Sequence, residues 1–164
     1  MLTLTILSTT LFFGFIIFNT FKFSILTSYS AYGTVWGKLS KNINIWSAIT
    51  VLSAFLLTPP LIEAGVENPF QFLGFFMPVY LIAVGLTPEW ETDKKQAFWH
   101  SFFAFLCAIS AIIWLILFKA CYFQIIFIFV LCTISAIWTK TWKECYVFWL
   151  EMLIFLVAFG ANFL

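Results

Sequence analysis

Residues 97–118 read AFWHSFFAFLCAISAIIWLILF, and this stretch decides the fold class. It contains one His and no Asp, Glu, Lys or Arg. About 20 consecutive apolar residues are enough for a helix to cross the hydrocarbon core of a bilayer. An uncharged apolar run of this length is therefore typical of a membrane-spanning helix rather than of a helix in a soluble domain.

Five further apolar runs accompany this one, and almost every charged residue lies between the runs. Hydrophobic residues make up 63% of the 164-residue chain and charged residues only 9%, which excludes an ordinary soluble domain. We predict an all-α, polytopic transmembrane bundle that forms one domain over residues 1–164. It has six helices, or five if the chain divides differently around Lys119. The predicted spans are 3–21, 43–62, 70–86, 97–118, 122–139 and 145–163, and Pro59-Pro60 is expected to break the second of them.

The lysines predict the orientation. The eight basic residues are all Lys, and those of the first, third and fifth links are Lys22, Lys38, Lys41, Lys94, Lys95, Lys140 and Lys143. Because cytoplasmic loops carry the excess of positive charge, we predict a multi-pass protein of the cell (inner) membrane with Lys-rich links in the cytoplasm and both termini outside. Tryptophans near the same boundary predict an aromatic belt, namely Trp36, Trp46, Trp90, Trp99, Trp138 and Trp142.

The composition also excludes several chemistries. The chain has no Arg to clamp phosphate and no basic stripe, so nucleic acid is not an expected partner. The four Cys residues form no CxxC pair and the chain has one His, a pattern that argues against a Cys/His zinc site. We therefore predict no metal, no other cofactor and no catalytic residue. The expected partners are membrane lipids, with other membrane subunits or a homo-oligomer as further options.

A few polar residues within the apolar runs are the candidates for function. Glu151 lies roughly 10 Å into the last predicted helix, where a carboxylate is costly unless it is paired, protonated or hydrated. His100 and Asn19 are expected at a similar depth, and Ser28 and Tyr29 of the long first link are expected to cover them. We predict that the five form a polar cluster near the cytoplasmic face. The alternative is a His–Glu hydrogen bond that only joins two helices.

Short motifs occur in a characteristic order along the chain. They are SILTSYS at 24–30, PPLIE at 59–63, PFQFL at 69–73, His100, and WLE at 149–151. In these motifs the chain resembles a group of small bacterial and prophage polytopic membrane proteins, and more distantly it is similar to the DUF998 and Frag1-like membrane families. The resemblance implies a multi-pass membrane protein and no known activity.

These features favour a lipid- or small-ligand-binding protein, or an accessory membrane subunit, with the polar cluster as its site. An isolated carboxylate in a helix also fits a proton- or ion-conducting subunit, and 23 Phe residues fit a structural subunit of a larger membrane complex. An intramembrane metal-dependent hydrolase would use Ser28, Asp93, His100 and Glu151. One His is fewer than a three-His zinc site needs, so the sequence does not assign the chain as an enzyme.

Overall fold

The described part of the chain is entirely helical in its regular structure. The computed structural model describes residues 1–40, 44–66, 69–119, 126–127, 130, 134 and 146–160. In this part the helices are α1 Leu2–Phe23, α2 Ala31–Leu39, α3 Ile45–Glu63, α4 Phe72–Gly85, α5 Lys94–Lys119 and α6 Tyr146–Gly160. The prediction of an all-α helical bundle is therefore confirmed.

Three of these helices have the length and composition needed to cross a membrane. They are Leu2–Phe23, Ile45–Glu63 and Lys94–Leu117, while Phe72–Gly85 and Tyr146–Phe159 are shorter apolar helices. Helices suit a bilayer because they satisfy every interior backbone N–H and C=O within one segment. The fold is therefore that of a bundle with helices that can span a membrane.

One predicted span is mostly outside the described residues, and one observed helix was not predicted. The predicted span 122–139 lies outside the described residues, except for positions 126, 127, 130 and 134, which are helical. The α2 helix, in contrast, lies inside the predicted first link. Its Tyr32 and Trp36, one helical turn apart, are both buried. The link therefore folds onto the bundle with one apolar face.

The two consecutive prolines do not break α3. The helix continues through Pro59 and Pro60 to Glu63, and the backbone N–H of Ala64 donates to the carbonyl of Pro60. Proline has a fixed φ that suits a helix, and its cost is the loss of N–H donors to the preceding turn. Leu57 and Leu61, before and after the prolines, are completely buried, so packing on both sides holds this turn in place.

The tryptophan belt was also predicted too broadly. Trp46 is completely buried and Trp36 is nearly so, whereas Trp99 is 43% exposed. The ring of Trp46 lies 5.5 Å from that of Tyr29, centroid to centroid. Trp46 of α3 therefore packs against α2 and the turn before it, whereas Trp36 of α2 packs against Phe15, Phe18 and Phe23 of α1. Trp138 and Trp142 lie outside the described residues.

Close backbone approach joins the neighbouring helices. The α1 helix packs on α3, α3 on α4, and α4 on α5. A Cβ atom added to Gly74 of α4 would lie 2.6 Å from the carbonyl oxygen of Leu61 in α3. Between α1 and α3, the hydroxyl of Ser8 donates to the carbonyl of Ser53 at 2.7 Å. Small residues and interhelical hydrogen bonds of this kind stabilise helix pairs in lipid, where burial of apolar area gives no driving force.

Hydrogen bonds bring the links together at one end of the bundle, which we call the link end. The indole N–H of Trp90 donates to the carbonyl of Ser30 at 3.3 Å, and the hydroxyl of Thr34 donates to the carbonyl of Pro88 at 3.2 Å. The backbone N–H of Phe148 donates to the carbonyl of Thr27 at 3.1 Å. The first part of α6 therefore lies at the same end as the α1–α2 and α4–α5 links.

We expect Gly74→Ala to destabilise the bundle by about 1–3 kcal/mol, because the new methyl group meets backbone atoms of Leu61 that cannot rotate away. Thermal unfolding in detergent measures the effect. Gly14→Ala is the matched control, since a Cβ at Gly14 has nothing within 4 Å, and its effect should stay within about 1 kcal/mol. Equal melting temperatures for the two variants would contradict the close approach of α3 and α4.

Candidate ligand cavity

A cavity of about 220 Å³ lies between α4, α5 and α6. We call it the α5–α6 cavity, because these two helices supply most of its walls. Its apolar lining residues are Leu81, Val84, Ala104, Ala108, Ala111, Val147, Leu150, Ile154 and Phe155. The remaining lining residues are Tyr29, Ser30, His100, Cys107 and Glu151. The cavity is therefore mostly apolar, with the carboxylate of Glu151 and the imidazole of His100 among its polar groups.

Glu151 is held by the segment that precedes α2. Its carboxylate oxygen Oε2 accepts a hydrogen bond from the backbone N–H of Tyr29 at 2.8 Å. The side chain is partly buried. Backbone N–H groups near the start of a helix lack partners within that helix and favour a negative charge. The carboxylate therefore joins α6 to the turn before α2 and also lines the cavity.

His100 is buried, with 4% of its surface exposed. Its ring stacks on that of Trp90 at a centroid distance of 5.1 Å and an interplanar angle of 15°. Its Nδ1 atom lies 2.9 Å from Oγ1 and 3.1 Å from the carbonyl oxygen of Thr87. These contacts fix the first part of α5 against the end of α4.

The network around Thr87 assigns the hydrogen on the His100 ring. The Thr87 hydroxyl lies 2.9 Å from the carbonyl of Val84 and 3.3 Å from that of Ala83, and it donates its hydrogen to these acceptors. We assign the hydrogen to Nδ1, because the carbonyl oxygen of Thr87 can only accept. In a neutral imidazole Nε2 is then an acceptor.

Tyr29 contributes to the cavity, and Ser28 supports it. The Tyr29 hydroxyl is 2.8 Å from Oγ1 of Thr50 in α3. Burial raises the pKa of the Tyr29 phenol, so this hydroxyl stays protonated. Oγ of Ser28 accepts from the backbone N–H of Ala31 at 3.2 Å and lies 3.1 Å from Oγ of Ser30. Ser28 thus caps the first turn of α2 and is not among the lining residues.

Asn19 does not meet the other predicted residues. It is completely buried, its Oδ1 accepts from the indole N–H of Trp36 at 2.7 Å, and its Nδ2 donates to the carbonyl of Phe15 at 2.8 Å. It is not among the residues that line the cavity. Its position near the end of α1 places it against α2 instead, so it fastens α2 to α1.

The alternative to the predicted polar cluster, a hydrogen bond between His100 and Glu151, is not formed, and each side chain has another partner among the described residues. Within the described residues, His100 bonds to Thr87 and Glu151 bonds to Tyr29. Each side chain thus joins its own helix to a neighbouring segment. The structure nevertheless brings both to one cavity, as the sequence predicted, together with Tyr29.

The walls of the cavity were not predicted from the sequence. Ala104, Ala108 and Ala111 recur along α5 at spacings of four and three, a small-residue pattern that is typical of close helix packing in membranes, but the structure places them along the cavity. With His100 and Cys107 they lie on one face of α5, because their spacings are three and four. A small-residue stripe that continues from a buried His was the signal available in the sequence.

A second, larger cavity differs in chemistry. About 340 Å³ lies between α1 and α6, with Ile16, Phe148 and Met152 among its apolar lining residues. Thr20 is its polar lining residue, and no lining residue is ionisable. It therefore offers an apolar surface without a group that would orient a ligand.

The metal-dependent alternative has no cluster in the described part of the chain. No group of three or more His, Cys, Asp or Glu side chains there could hold a metal ion. Asp93, one of the candidate ligands, accepts from the backbone N–H groups of Lys95 and Gln96 at 2.8 and 3.4 Å. It therefore caps the start of α5, as its sequence position indicates.

Comparisons with known proteins give no match. No protein-family model matches this chain, and neither do curated proteins or solved structures. The α5–α6 cavity and its contacts are therefore the basis for a functional proposal.

We expect Asn19 and Trp36 to be energetically coupled by about 1 kcal/mol, because their buried hydrogen bond is short. A double-mutant cycle with Asn19→Ala and Trp36→Phe, measured by unfolding in detergent, tests this. The Phe keeps an aromatic ring but cannot donate. Additive effects of the two substitutions would contradict a structural role for the pair.

Proposed function

We propose that this chain is an integral membrane protein that binds a small, mostly apolar molecule or a lipid in the α5–α6 cavity, as a binding or accessory protein. The observation that supports it is the cavity itself, with Glu151 and His100 set into apolar walls. Ligand sites are typically concave and mainly apolar, with a few polar groups that orient the ligand. The second cavity lacks such groups, which favours the α5–α6 cavity as the site.

The size of the cavity supports a small ligand. An apolar cavity of about 150 Å³ holds one benzene molecule. A volume of about 220 Å³ offers half as much space again. The fitting ligand is therefore a compact molecule of roughly nine non-hydrogen atoms, or one short segment of a lipid.

The position of the cavity supports access from the cytoplasmic side of the cell membrane. Tyr29, Ser30 and His100 line it, and they lie at or next to the link end. Lys22 in the last turn of α1, Lys38 in α2, and Lys94 and Lys95 at the start of α5 lie at the same end. By the positive-inside rule this end faces the cytoplasm and both termini face outside.

We expect Ala108→Leu to abolish ligand retention, because a larger side chain on the cavity wall takes up part of about 220 Å³. Native mass spectrometry of protein purified in mild detergent, combined with analysis of extracted small molecules, measures retention. The wild-type protein should carry a bound compound that the variant lacks.

Ala97→Leu is the matched control, because it makes the same change on the same helix at a residue that does not line the cavity. It should retain the compound as the wild type does. Identical small-molecule content in all three proteins would count against the proposal.

A further inference from the structure

We infer that the α5–α6 cavity selects a small primary amine in its ammonium form, bound through the carboxylate of Glu151 and Nε2 of His100. This inference rests on the proposed function, since it names the ligand class of the same site. It follows from the hydrogen-bond inventory, the charge and the shape of the cavity.

The hydrogen-bond donors at the cavity are already in use. The backbone N–H of Tyr29 donates to Glu151, and the Tyr29 hydroxyl is paired with Thr50. The thiol of Cys107 donates to the carbonyl of Met77 at 3.4 Å, and the hydroxyl of Ser30 is bonded to that of Ser28. A ligand therefore meets few available donors.

The acceptors, in contrast, have capacity left. An ionised carboxylate can accept about four hydrogen bonds, and within the described residues Glu151 receives one, from Tyr29. The hydrogen on Nδ1 of His100 leaves Nε2 as an acceptor, and no described residue bonds to it. His100 and Glu151 line the same cavity, and their acceptor capacity calls for a ligand that donates several hydrogen bonds. An ammonium group donates three.

The charge of the site favours the same ligand. A carboxylate within an apolar bundle is costly unless it is paired, protonated or hydrated, and an ammonium ion is the partner that pairs with it most directly. The Lys22 ammonium lies over the ring of Trp36, 4.6 Å from its centroid, and Lys38, Lys94 and Lys95 are exposed. An ammonium ligand would supply a positive charge that the described lysines do not place beside Glu151. A neutral alcohol of the same size would not.

The shape of the cavity indicates what the apolar part of the ligand looks like. Along α5, the lining runs from His100 to Ala111, which is roughly 16 Å of helix. His100 and Glu151 line the part of the cavity near the link end. Ala111, Ile154 and Phe155 supply apolar walls farther along the helices. One cationic group at the end of a compact apolar body therefore fits. 2-Phenylethylamine, with its aromatic ring and short chain, has this form.

The test is equilibrium binding of tritiated 2-phenylethylamine to the protein in phosphatidylcholine nanodiscs, with empty nanodiscs subtracted. We expect saturable binding, with 2-phenylethanol competing at least tenfold more weakly because it lacks the charge. Glu151→Gln should weaken amine binding at least tenfold, while its amide oxygen can still accept from Tyr29. Glu63→Gln removes an exposed carboxylate and should leave binding unchanged.

Each other outcome has a distinct meaning. Equal competition by the alcohol, or unchanged amine binding to Glu151→Gln, overturns the inference. If Ala108→Leu still blocks binding of the amine in either case, the proposed function stands. No saturable binding of the amine also overturns the inference, and the retention experiment with Ala108→Leu then decides the proposed function separately. The amine–alcohol comparison uses the wild-type protein alone, so it holds even if a variant fails to fold.

Discussion

The rest of the structure depends on the requirement that backbone N–H and C=O groups be satisfied without water. In lipid this requirement restricts an apolar chain to helices, which satisfy their interior groups internally. The helix ends and links are the places where unpaired groups collect. In this protein those groups meet side chains at the link end, where Glu151 accepts from Tyr29 and Trp90 donates to Ser30. The same contacts place the polar groups of the cavity.

The side chains at the link end therefore both hold the helices together and supply polar groups to the cavity. His100 and Glu151 each fasten a helix, through Thr87 and Tyr29 respectively, yet both have hydrogen-bonding capacity beyond that contact. A residue that served only to join helices would have no need to line a cavity. Small side chains on α5 supply the space, because an Ala stripe leaves a hollow wherever no neighbouring helix closes onto it.

The sequence predicted the helical elements well because long apolar runs permit few alternatives. It predicted the polar cluster only in part. Depth along a helix follows from residue count, so His100 and Glu151 were expected at one height and do line one cavity. Depth says nothing about direction around the helix axis, and Asn19, at a similar height, faces Trp36 instead. The α2 helix was missed because its buried aromatic face is short and interrupted by small polar residues.

By itself the sequence determined the class of protein, a helical bundle with helices that can span a membrane, because composition and run length decide how a chain partitions into lipid. Only the tertiary structure decided which polar groups meet, that α3 continues through Pro59 and Pro60, and that Trp46 lies in the core. These outcomes depend on the rotation of each helix and on contacts between residues far apart in the chain. Local pattern carries no information about either.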